Sequence, residues 1–303
     1  MSSPVAIFIY NRPEKLKNLL FSIKNNKKSD SLKYFIFSDG FKGKDDKKDV
    51  LKCREIIKNF FKEQEYKLIE QERNIGLASS IINGVTQVLK NNSSIIVLED
   101  DLELDPNFFD FMDFNLKKYE SKKNVYSINA HMFYHENLIR ANTSFFLPCI
   151  SSWGWGTWAD RWNGFLDFKS IKENLNLDKK NFPKFNLDNS YPFSKILLKT
   201  NNNKINSWAI YWYLYVFNNN GLNLFPPSTL VLNKGFDGSG SNTLINLKQN
   251  LKNKEYPFTI SKNIEVLAEN LEIYKSLISN YLNPNLFKKI IIKFKYKLKS
   301  ILR

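Results

Sequence analysis

The first hundred residues alternate between short apolar runs and longer amphipathic segments. The apolar runs predict strands and the amphipathic segments predict helices, with strands at 5–10, 34–38, 66–70 and 94–99 and helices at 12–25, 50–63 and 77–91. Strands that alternate with helices of this length are joined by right-handed crossovers, which align the strands in parallel. The pattern therefore predicts an α/β protein with a mainly parallel sheet flanked by helices.

The fourth predicted strand ends in an acidic cluster, whose members are Glu99, Asp100, Asp101, Glu103 and Asp105. Ligands of parallel sheets bind outside the carboxyl ends of the strands, where these acids lie. Three adjacent carboxylates repel one another, and a bound Mg²⁺ or Mn²⁺ that bridges nucleotide phosphates would offset the repulsion. The alternative is capping of a predicted helix at 107–119. Capping explains Asp105, but it does not explain three acids directly on the end of an apolar strand.

Two other predicted strand ends carry candidate ligand contacts. Asp39 could accept a hydrogen bond from a base or a ribose, or it could be a turn residue before Gly40. Arg12 could pair with a phosphate, or it could be a surface charge near the start of a helix. The sequence leaves both alternatives open.

Tryptophans and glycines are concentrated in the segment 151–165, which contains Trp153, Trp155, Trp158 and Trp162. Tryptophan is commonly a core residue, but glycines between tryptophans allow close approach to a ligand, and sugar rings stack on aromatic faces. We therefore predict that this segment lines a binding site. His131 and His135 have helical spacing, but no third ligand stands near them, so we do not predict a zinc site. P-loop, GxGxxG and GxSxG motifs do not occur.

The formal net charge of +15 implies an anionic partner. We do not predict nucleic acid, because the aromatic residues cluster with glycines and not with lysines or arginines. The segment 286–303 has seven basic residues and no acid, with apolar residues at helical spacing. Such a helix would lie on an anionic membrane surface or, alternatively, on the core of the protein. The two unpatterned cysteines and the lack of a secretion signal predict a cytoplasmic protein.

Several motifs in a fixed order resemble one family. The order is IYNRPEKL, FSDG, RNIGLASSI, VLEDD, SWGWGTW, SW…W and LVLNKGFDGSGSNT, across roughly residues 4 to 245. It resembles the GT-A glycosyltransferases, specifically bacterial sugar transferases of surface-polysaccharide clusters, which are similar to Golgi N-acetylglucosaminyltransferases with an EDD motif. The resemblance implies a Rossmann-like GT-A domain and an inverting hexosyl- or N-acetylhexosaminyltransferase that uses a UDP-sugar and Mn²⁺ or Mg²⁺.

The resemblance also implies roles for individual residues. Asp101 would ligate the metal, Glu99 and Asp100 would contact the ribose and the donor sugar, and Asp39 would bind uracil. The remaining contacts would come from Arg12 and Arg73 near the nucleotide and from Trp153, Trp155 and Trp158 as walls of the donor and acceptor sites. The loop that contains the NKGFDGSGSNT motif would close over the diphosphate.

This sequence departs from the family pattern at the expected catalytic base. Relatives have an acid directly after the tryptophan of SWD…W, whereas this chain has Ala209. Asp160 and Asp237 are the remaining candidates for the base. The second departure is Asn242 in place of a histidine of the final loop, which weakens that loop as a source of a metal ligand. The alternative function is therefore a catalytically impaired or engineered relative that binds nucleotide-sugar without efficient turnover.

The predicted organisation has three parts. Residues 1–130 would form the nucleotide-sugar-binding half and residues 131–260 the acceptor-binding and catalytic half of one GT-A domain. Residues 261–303 would form a basic helical tail that holds the enzyme on the inner face of the cytoplasmic membrane. A lipid-linked glycan acceptor would suit that position.

Overall fold

A computed structural model describes residues 2–62, 64–237, 257–260 and 262–282 of the chain. Its strands are β1 (Val5–Ile9), β2 (Tyr34–Ser38), β3 (Tyr66–Glu70), β4 (Ser94–Glu99), β5 (Leu102–Leu104), β6 (Val125–Asn129), β7 (Thr143–Leu147), β8 (Trp155–Trp158), β9 (Leu222–Phe225), β10 (Val231–Asn233) and β11 (Thr259–Ile260). Its helices are α1 (Pro13–Lys24), α2 (Lys44–Phe60), α3 (Leu77–Leu89), α4 (Phe108–Tyr119), α5 (Glu136–Ala141), α6 (Ala159–Ser170), α7 (Phe182–Phe185), α8 (Phe193–Asn201), α9 (Trp208–Asn218) and α10 (Ala268–Leu282). The predicted α/β class is confirmed.

The central sheet has nine strands in the order β11-β7-β9-β6-β8-β4-β1-β2-β3. Strands β1 to β4 are mutually parallel, and β8 joins them to β6 through two antiparallel pairings. A separate pair of strands, β5 and β10, runs antiparallel beside the main sheet. The sheet is therefore mixed but mainly parallel, as the alternating pattern predicts.

The chain reverses its direction of travel across the sheet between β1 and β4. From β1 it proceeds outward to β2 and β3, and it then returns to place β4 on the other side of β1. In open α/β sheets, the crevice at such a switch point is the usual ligand site. The segment after β1 and the acidic cluster after β4 both lie at this crevice.

Both faces of the sheet are covered by helices. In β1, Ile7 packs into one core cluster and Phe8 into the cluster on the opposite face. Because successive side chains of a strand point to opposite faces, a strand buried on both faces is a continuous apolar run. This explains why β1, β2 and β4 can be predicted from the sequence, whereas β3 is a partly exposed edge strand.

Helix α2 begins earlier than the sequence predicts. The polar segment before residue 50 looks like a turn, but the helix starts at Lys44. The Asp46 side chain accepts hydrogen bonds from the backbone N–H groups of Gly43 and Lys42, at 3.0 and 2.9 Å. A carboxylate that satisfies the free N–H groups of a first turn stabilises a helix start, so this acid moves the start of the helix toward the N-terminus.

Arg161 is a buried arginine on α6 that joins α6 to the segment between α4 and β6. Its guanidinium donates hydrogen bonds to four backbone carbonyls, those of Val125, Tyr119, Glu120 and Lys122. It also lies 4.4 Å from the ring centroid of Trp158.

We expect Arg161→Leu to lower the free energy of unfolding by about 3 kcal/mol, because it leaves buried carbonyls without donors. Lys123→Ala is the matched control. Lys123 and Arg161 both pair with the carboxylate of Asp160, but Lys123 is exposed. The control should change stability by no more than about 0.5 kcal/mol. Urea unfolding of both variants measures the difference, and equal losses would show that Arg161 has no special structural role.

The described C-terminal part is helix α10, which packs on the sheet through Tyr274, whose ring centroid lies 5.6 Å from that of Phe225. The predicted basic helix at 286–303 lies outside the described residues. In the part of the chain that the structure describes, no helix is both long and apolar enough to span a membrane.

Candidate functional site

A cleft of about 640 Å³ opens at the switch point. One wall comes from the carboxyl ends of β1, β2 and β4. The rest of the lining comes from the loop before α3, the loop before β8, the start of α9, and Asn233 and Gly235. Seven of the residues singled out from the sequence line this cleft, namely Arg12, Asp39, Glu99, Asp100, Asp101, Trp153 and Ala209.

The three acids at the end of β4 have different partners. Asp100 bridges the two central strands, because its Oδ2 accepts a hydrogen bond of 2.9 Å from the backbone N–H of Tyr10. Asp101 Oδ2 accepts a hydrogen bond of 2.8 Å from Nη1 of Arg12. Asp101 Oδ1 is buried and has no hydrogen-bond partner among the described residues. A buried carboxylate oxygen without a donor is costly, and a bound cation or water would satisfy it.

The acids also raise one another's pKa values. Loss of hydration and then the charges of Asp101 and Asp100 raise the pKa of Glu99 to about 8. Loss of hydration and then the charge of Asp101 raise the pKa of Asp100 to about 6, although Arg12 acts in the opposite direction. Burial and mutual repulsion therefore disfavour the charged forms of Glu99 and Asp100, and the nearby guanidinium of Arg12 acts in the opposite direction.

A divalent cation fits the chemistry of Asp101. Its buried free oxygen is a hard ligand of the type that Mg²⁺ and Mn²⁺ prefer. Among the described residues, no three His, Cys, Asp or Glu side chains are grouped so that they could hold an ion by themselves. Cations of this kind are often bound by one or two carboxylates together with substrate phosphates and water. Asp101 would thus hold the ion jointly with a diphosphate.

Gly235 brings the segment after β10 against Asp101. A Cβ atom at Gly235 would lie 2.3 Å from Asp101 Oδ2 and 2.9 Å from Asn233 Oδ1, so only a glycine fits without displacement. The backbone N–H of Lys234 donates to the carbonyl of Asp101 at 2.8 Å, which keeps the two segments together. Sequence reasoning did not single out Asn233 or Gly235, although both lie in the LVLNKGFDG motif.

We expect Gly235→Ala to weaken metal-dependent nucleotide binding by roughly tenfold or more, because overpacking of this size costs about 1–3 kcal/mol. The new methyl group must push the Asp101 carboxylate from its position. Gly43→Ala is the matched control, since a Cβ there meets no atom within 4 Å. Calorimetric titration of UDP with Mn²⁺ compares the two variants, and equal affinities would contradict the assigned position of Asp101.

Asp39 lies in the cleft wall, but its carboxylate is already fully bonded. Oδ1 accepts from the backbone N–H groups of Gly40 and Ile75, and Oδ2 accepts from Asn74 Nδ2 and the Gly76 N–H, each at 2.9 Å. These bonds use the roughly four lone-pair sites of a carboxylate. Asp39 therefore holds the loop before α3 in place. A hydrogen bond to uracil would have to replace one of its four existing hydrogen bonds.

Three predicted contact residues do not line the cleft. Arg73 is exposed in the loop before α3. Trp155 and Trp158 are each 1% exposed and belong to the core, so the prediction that they wall a binding site is wrong. Trp155 stacks on Trp208 with ring centroids 5.1 Å apart, and Trp158 donates its indole N–H to the Leu116 carbonyl at 2.9 Å.

Gly154 and Gly156, in the segment 151–165, are explained by the backbone geometry of β8 and of the turn before it. A Cβ atom at Gly156 would lie 2.7 Å from the carbonyl oxygen of Ile95 on the neighbouring strand β4. Gly154 has a φ of +64°, in the left-handed region that favours glycine. The close approach that the glycines permit is therefore between strands, and Trp153 is the tryptophan of SWGWGTW that reaches the cleft.

Asp160 is placed far from the acidic cluster, so its candidacy as a base is not supported. The antiparallel strand β8 pairs Trp158 with Ser94, at the end of β4 opposite to Glu99. Those two ends are about 16 Å apart at the usual rise of a strand. Asp160 is instead bonded to Lys123 and Arg161, at 2.6 and 2.7 Å. The backbone of Asp237 ends a 3-10 turn after β10, and its side chain lies outside the described part.

Ala209 lies at the junction of two cavities. It is the second residue of α9, whose start is capped by Ser207 accepting a hydrogen bond from the Ile210 N–H. A smaller cavity of about 190 Å³ adjoins the cleft, and four residues line both, namely Ser152, Trp153, Ser207 and Ala209. A side chain at position 209 therefore faces the point where two bound molecules would meet.

The two histidines are not arranged as metal ligands. His131 is buried, and its ring packs edge-on against Trp153 with centroids 4.4 Å apart. His135 is the N-cap residue of α5. They do not share a helix, so their sequence spacing does not place them on one face. His131 serves to support the ring of Trp153.

One family profile and several solved structures are similar to this chain. Residues 5–119 match the sequence profile described as glycosyl transferase family 2. Similar solved structures include GalNAc-T7 with UDP, GalNAc and Mn²⁺, at 11% identity and a TM-score of 0.47 over 76% of this chain. This chain spans 43% of GalNAc-T7. Comparison with curated proteins gives no match.

Two further structures are similar at low identity. Mannosyltransferase PcManGT from Pyrobaculum calidifontis, in complex with GDP-Man and Mn²⁺, is 10% identical with a TM-score of 0.37, over 73% of this chain and 74% of that one. Mouse xyloside xylosyltransferase 1 in its apo form is 11% identical with a TM-score of 0.36, over 71% of this chain and 81% of that one.

Proposed function

We propose that this chain, a glycosyltransferase whose residues 5–119 form a glycosyl transferase family 2 domain, transfers a sugar from a UDP-linked donor to a glycan acceptor. The observation that carries the proposal is the buried free oxygen of Asp101 in a cleft at the switch point of the sheet. The order of the motifs favours synthesis of a bacterial surface polysaccharide or glycolipid.

The residues of the cleft suit a nucleoside diphosphate. Arg12 and Lys42 bring two positive charges to the same wall as Asp101, and both suit phosphate oxygens. A divalent cation bound to Asp101 would neutralise the negative charge that develops on the leaving diphosphate. Asp100 and Glu99 also line the cleft, where they suit the ribose and the donor sugar.

An inverting transfer needs a base that takes the proton of the acceptor hydroxyl. The position that suits this base is 209, because it faces both cavities. Alanine cannot accept a proton. This observation favours a second candidate function, in which the chain binds donor and acceptor with little turnover.

A thermal-shift screen of nucleotide-sugars tests the proposal. We expect UDP-sugars to raise the melting temperature with Mn²⁺ present and to lose most of that effect with EDTA. Binding stabilises a protein by about 2.7 kcal/mol at a ligand concentration 100 times Kd, which gives a shift of several degrees. The absence of any metal-dependent shift across UDP-, GDP- and TDP-sugars would contradict the proposal.

We also propose that the enzyme acts at the inner face of the cytoplasmic membrane, where its acceptor would be lipid-linked. Support comes from the sequence of 286–303, with its seven basic residues and apolar residues at helical spacing. Each basic residue near an anionic surface contributes about 1 kcal/mol. Co-sedimentation with phosphatidylserine vesicles should fall when residues 286–303 are deleted. Equal pelleting of the full and truncated chains would reject this location.

A further inference from the structure

The smaller cavity beside the cleft has walls unlike those of the cleft. Its volume is about 190 Å³, and its outer wall is formed by side chains from α8, α9, α10 and the segment before α8, among them Tyr191, Phe193, Ile196, Ile210 and Ile278. Cavities for drug-sized ligands measure about 300–1,000 Å³, so this one suits a single small unit. It adjoins the cleft and shares four lining residues with it, so a molecule bound in this cavity would lie beside the donor.

Two of the polar side chains around this cavity bond within the protein, namely Tyr213 and Ser207. Tyr213 donates its hydroxyl to the Phe185 carbonyl at 2.9 Å. Ser207 Oγ caps α9 by accepting from the Ile210 N–H. The rings of Tyr191 and Phe193 lie at the wall with centroids 4.8 Å apart. A cavity whose walls are mainly aromatic and aliphatic favours apolar groups and disfavours hydroxyls that find no partner there.

We propose that this cavity binds the terminal sugar of the acceptor and selects a sugar that carries a methyl group, as 6-deoxy and N-acetyl sugars do. The inference rests on the proposed function, because the cleft must hold the donor for the cavity to hold an acceptor. An acceptor hydroxyl then meets the donor between Trp153 and Ala209. The methyl group packs against the aliphatic wall that Ile196 provides.

Pairs of methyl glycosides that differ by one group test the selection. The 6-deoxy pair is methyl D-fucoside and methyl D-galactoside, and the N-acetyl pair is the methyl glycosides of N-acetylglucosamine and glucose. Each is titrated into the full chain saturated with UDP and Mn²⁺, and protein-observed NMR measures binding. We expect the methyl-bearing member of at least one pair to bind roughly tenfold tighter, since one methylene in an apolar pocket is worth about 10–200-fold. The pair that shows the difference identifies the sugar class.

Two substitutions on α8 test whether the preference for a methyl group comes from this cavity or from another part of the surface. Ile196→Ser should remove the preference, and the milder Ile196→Thr should reduce it, because both put a hydroxyl into the wall. Leu198→Ser is the matched control, since Leu198 is 44% exposed on the same helix and does not line the cavity. Equal binding within both pairs, or a preference that survives both Ile196 variants, would overturn the proposal. Binding of UDP without binding of any glycoside would overturn it and leave the proposed function standing, whereas no binding of UDP would overturn both.

Discussion

Asp101→Asn is expected to abolish metal-dependent binding of UDP while the fold survives. The amide keeps the size of the side chain but loses the negative charge, and one of its two terminal atoms becomes a donor. The oxygen that is buried without a partner would then no longer attract a cation. Because a bound metal contributes several kcal/mol to the stabilisation of a leaving group, any residual turnover should fall on the order of 10³-fold.

The control for this variant is Glu103→Gln. Glu103 belongs to the same acidic cluster, but it pairs with Lys234 at 2.9 Å and does not line the cleft. Calorimetry with UDP and Mn²⁺ should show unchanged affinity for Glu103→Gln and no binding for Asp101→Asn, while circular dichroism shows the same fold. Unchanged affinity in Asp101→Asn would mean that the metal ligand lies elsewhere.

Ala209→Asp is expected to raise kcat by roughly 10² to 10⁴-fold, which is the usual contribution of a general base. The new carboxylate would stand at the junction of the two cavities, where it can reach an acceptor hydroxyl. Ala209 is the second residue of α9 and is partly exposed, so a longer side chain at this position can extend into the cavities that it lines. Binding of the donor should stay the same, because residue 209 is not among the proposed phosphate contacts, Arg12 and Lys42.

Ala209→Asn is the control that distinguishes an effect of proton transfer from an effect of side-chain shape. The asparagine side chain has the same size as that of aspartate but is not a base. Only Ala209→Asp should gain turnover. Asp160→Asn and Asp237→Asn complete the test, because both acids were candidates from the sequence. If the unchanged chain is already fast, Ala209→Asp gains nothing and Asp237→Asn is inactive, then Asp237 is the base and the assignment to position 209 is wrong.

The parts of the fold that the sequence predicts well are those in which local pattern and tertiary environment agree. Strands β1, β2 and β4 are apolar runs because helices cover both faces of the sheet, whereas the edge strand β3 is partly exposed. The acids after β4 were predicted to lie at a ligand site because carboxyl ends of parallel strands share one edge. Position 209 was found through the family resemblance, and the structure independently places it in the cleft wall.

The failures concern residues whose partners are distant in sequence. Trp155 and Trp158 look like a sugar platform locally, but their partners come from α4, α6 and α9. Asp160 lies two residues after Trp158 of the tryptophan motif, yet the antiparallel direction of β8 places it near the end of β4 opposite to Glu99. Asp39 looks like a free ligand because its four donors, three of them backbone groups, are not visible as a motif. Gly235 could be recognised only after β10 and Asp101 were known to be neighbours.

The most direct test of the central claim is calorimetric titration of UDP into the unchanged chain, once with Mn²⁺ and once with EDTA. Asp101 can hold a cation only together with other ligands, and a diphosphate supplies them. The account therefore predicts clear binding with Mn²⁺ and at least roughly tenfold weaker binding with EDTA, a difference of about 1.4 kcal/mol or more. Equal affinity under both conditions, or no binding under either, would contradict the assignment of this cleft as a metal-dependent nucleotide-sugar site.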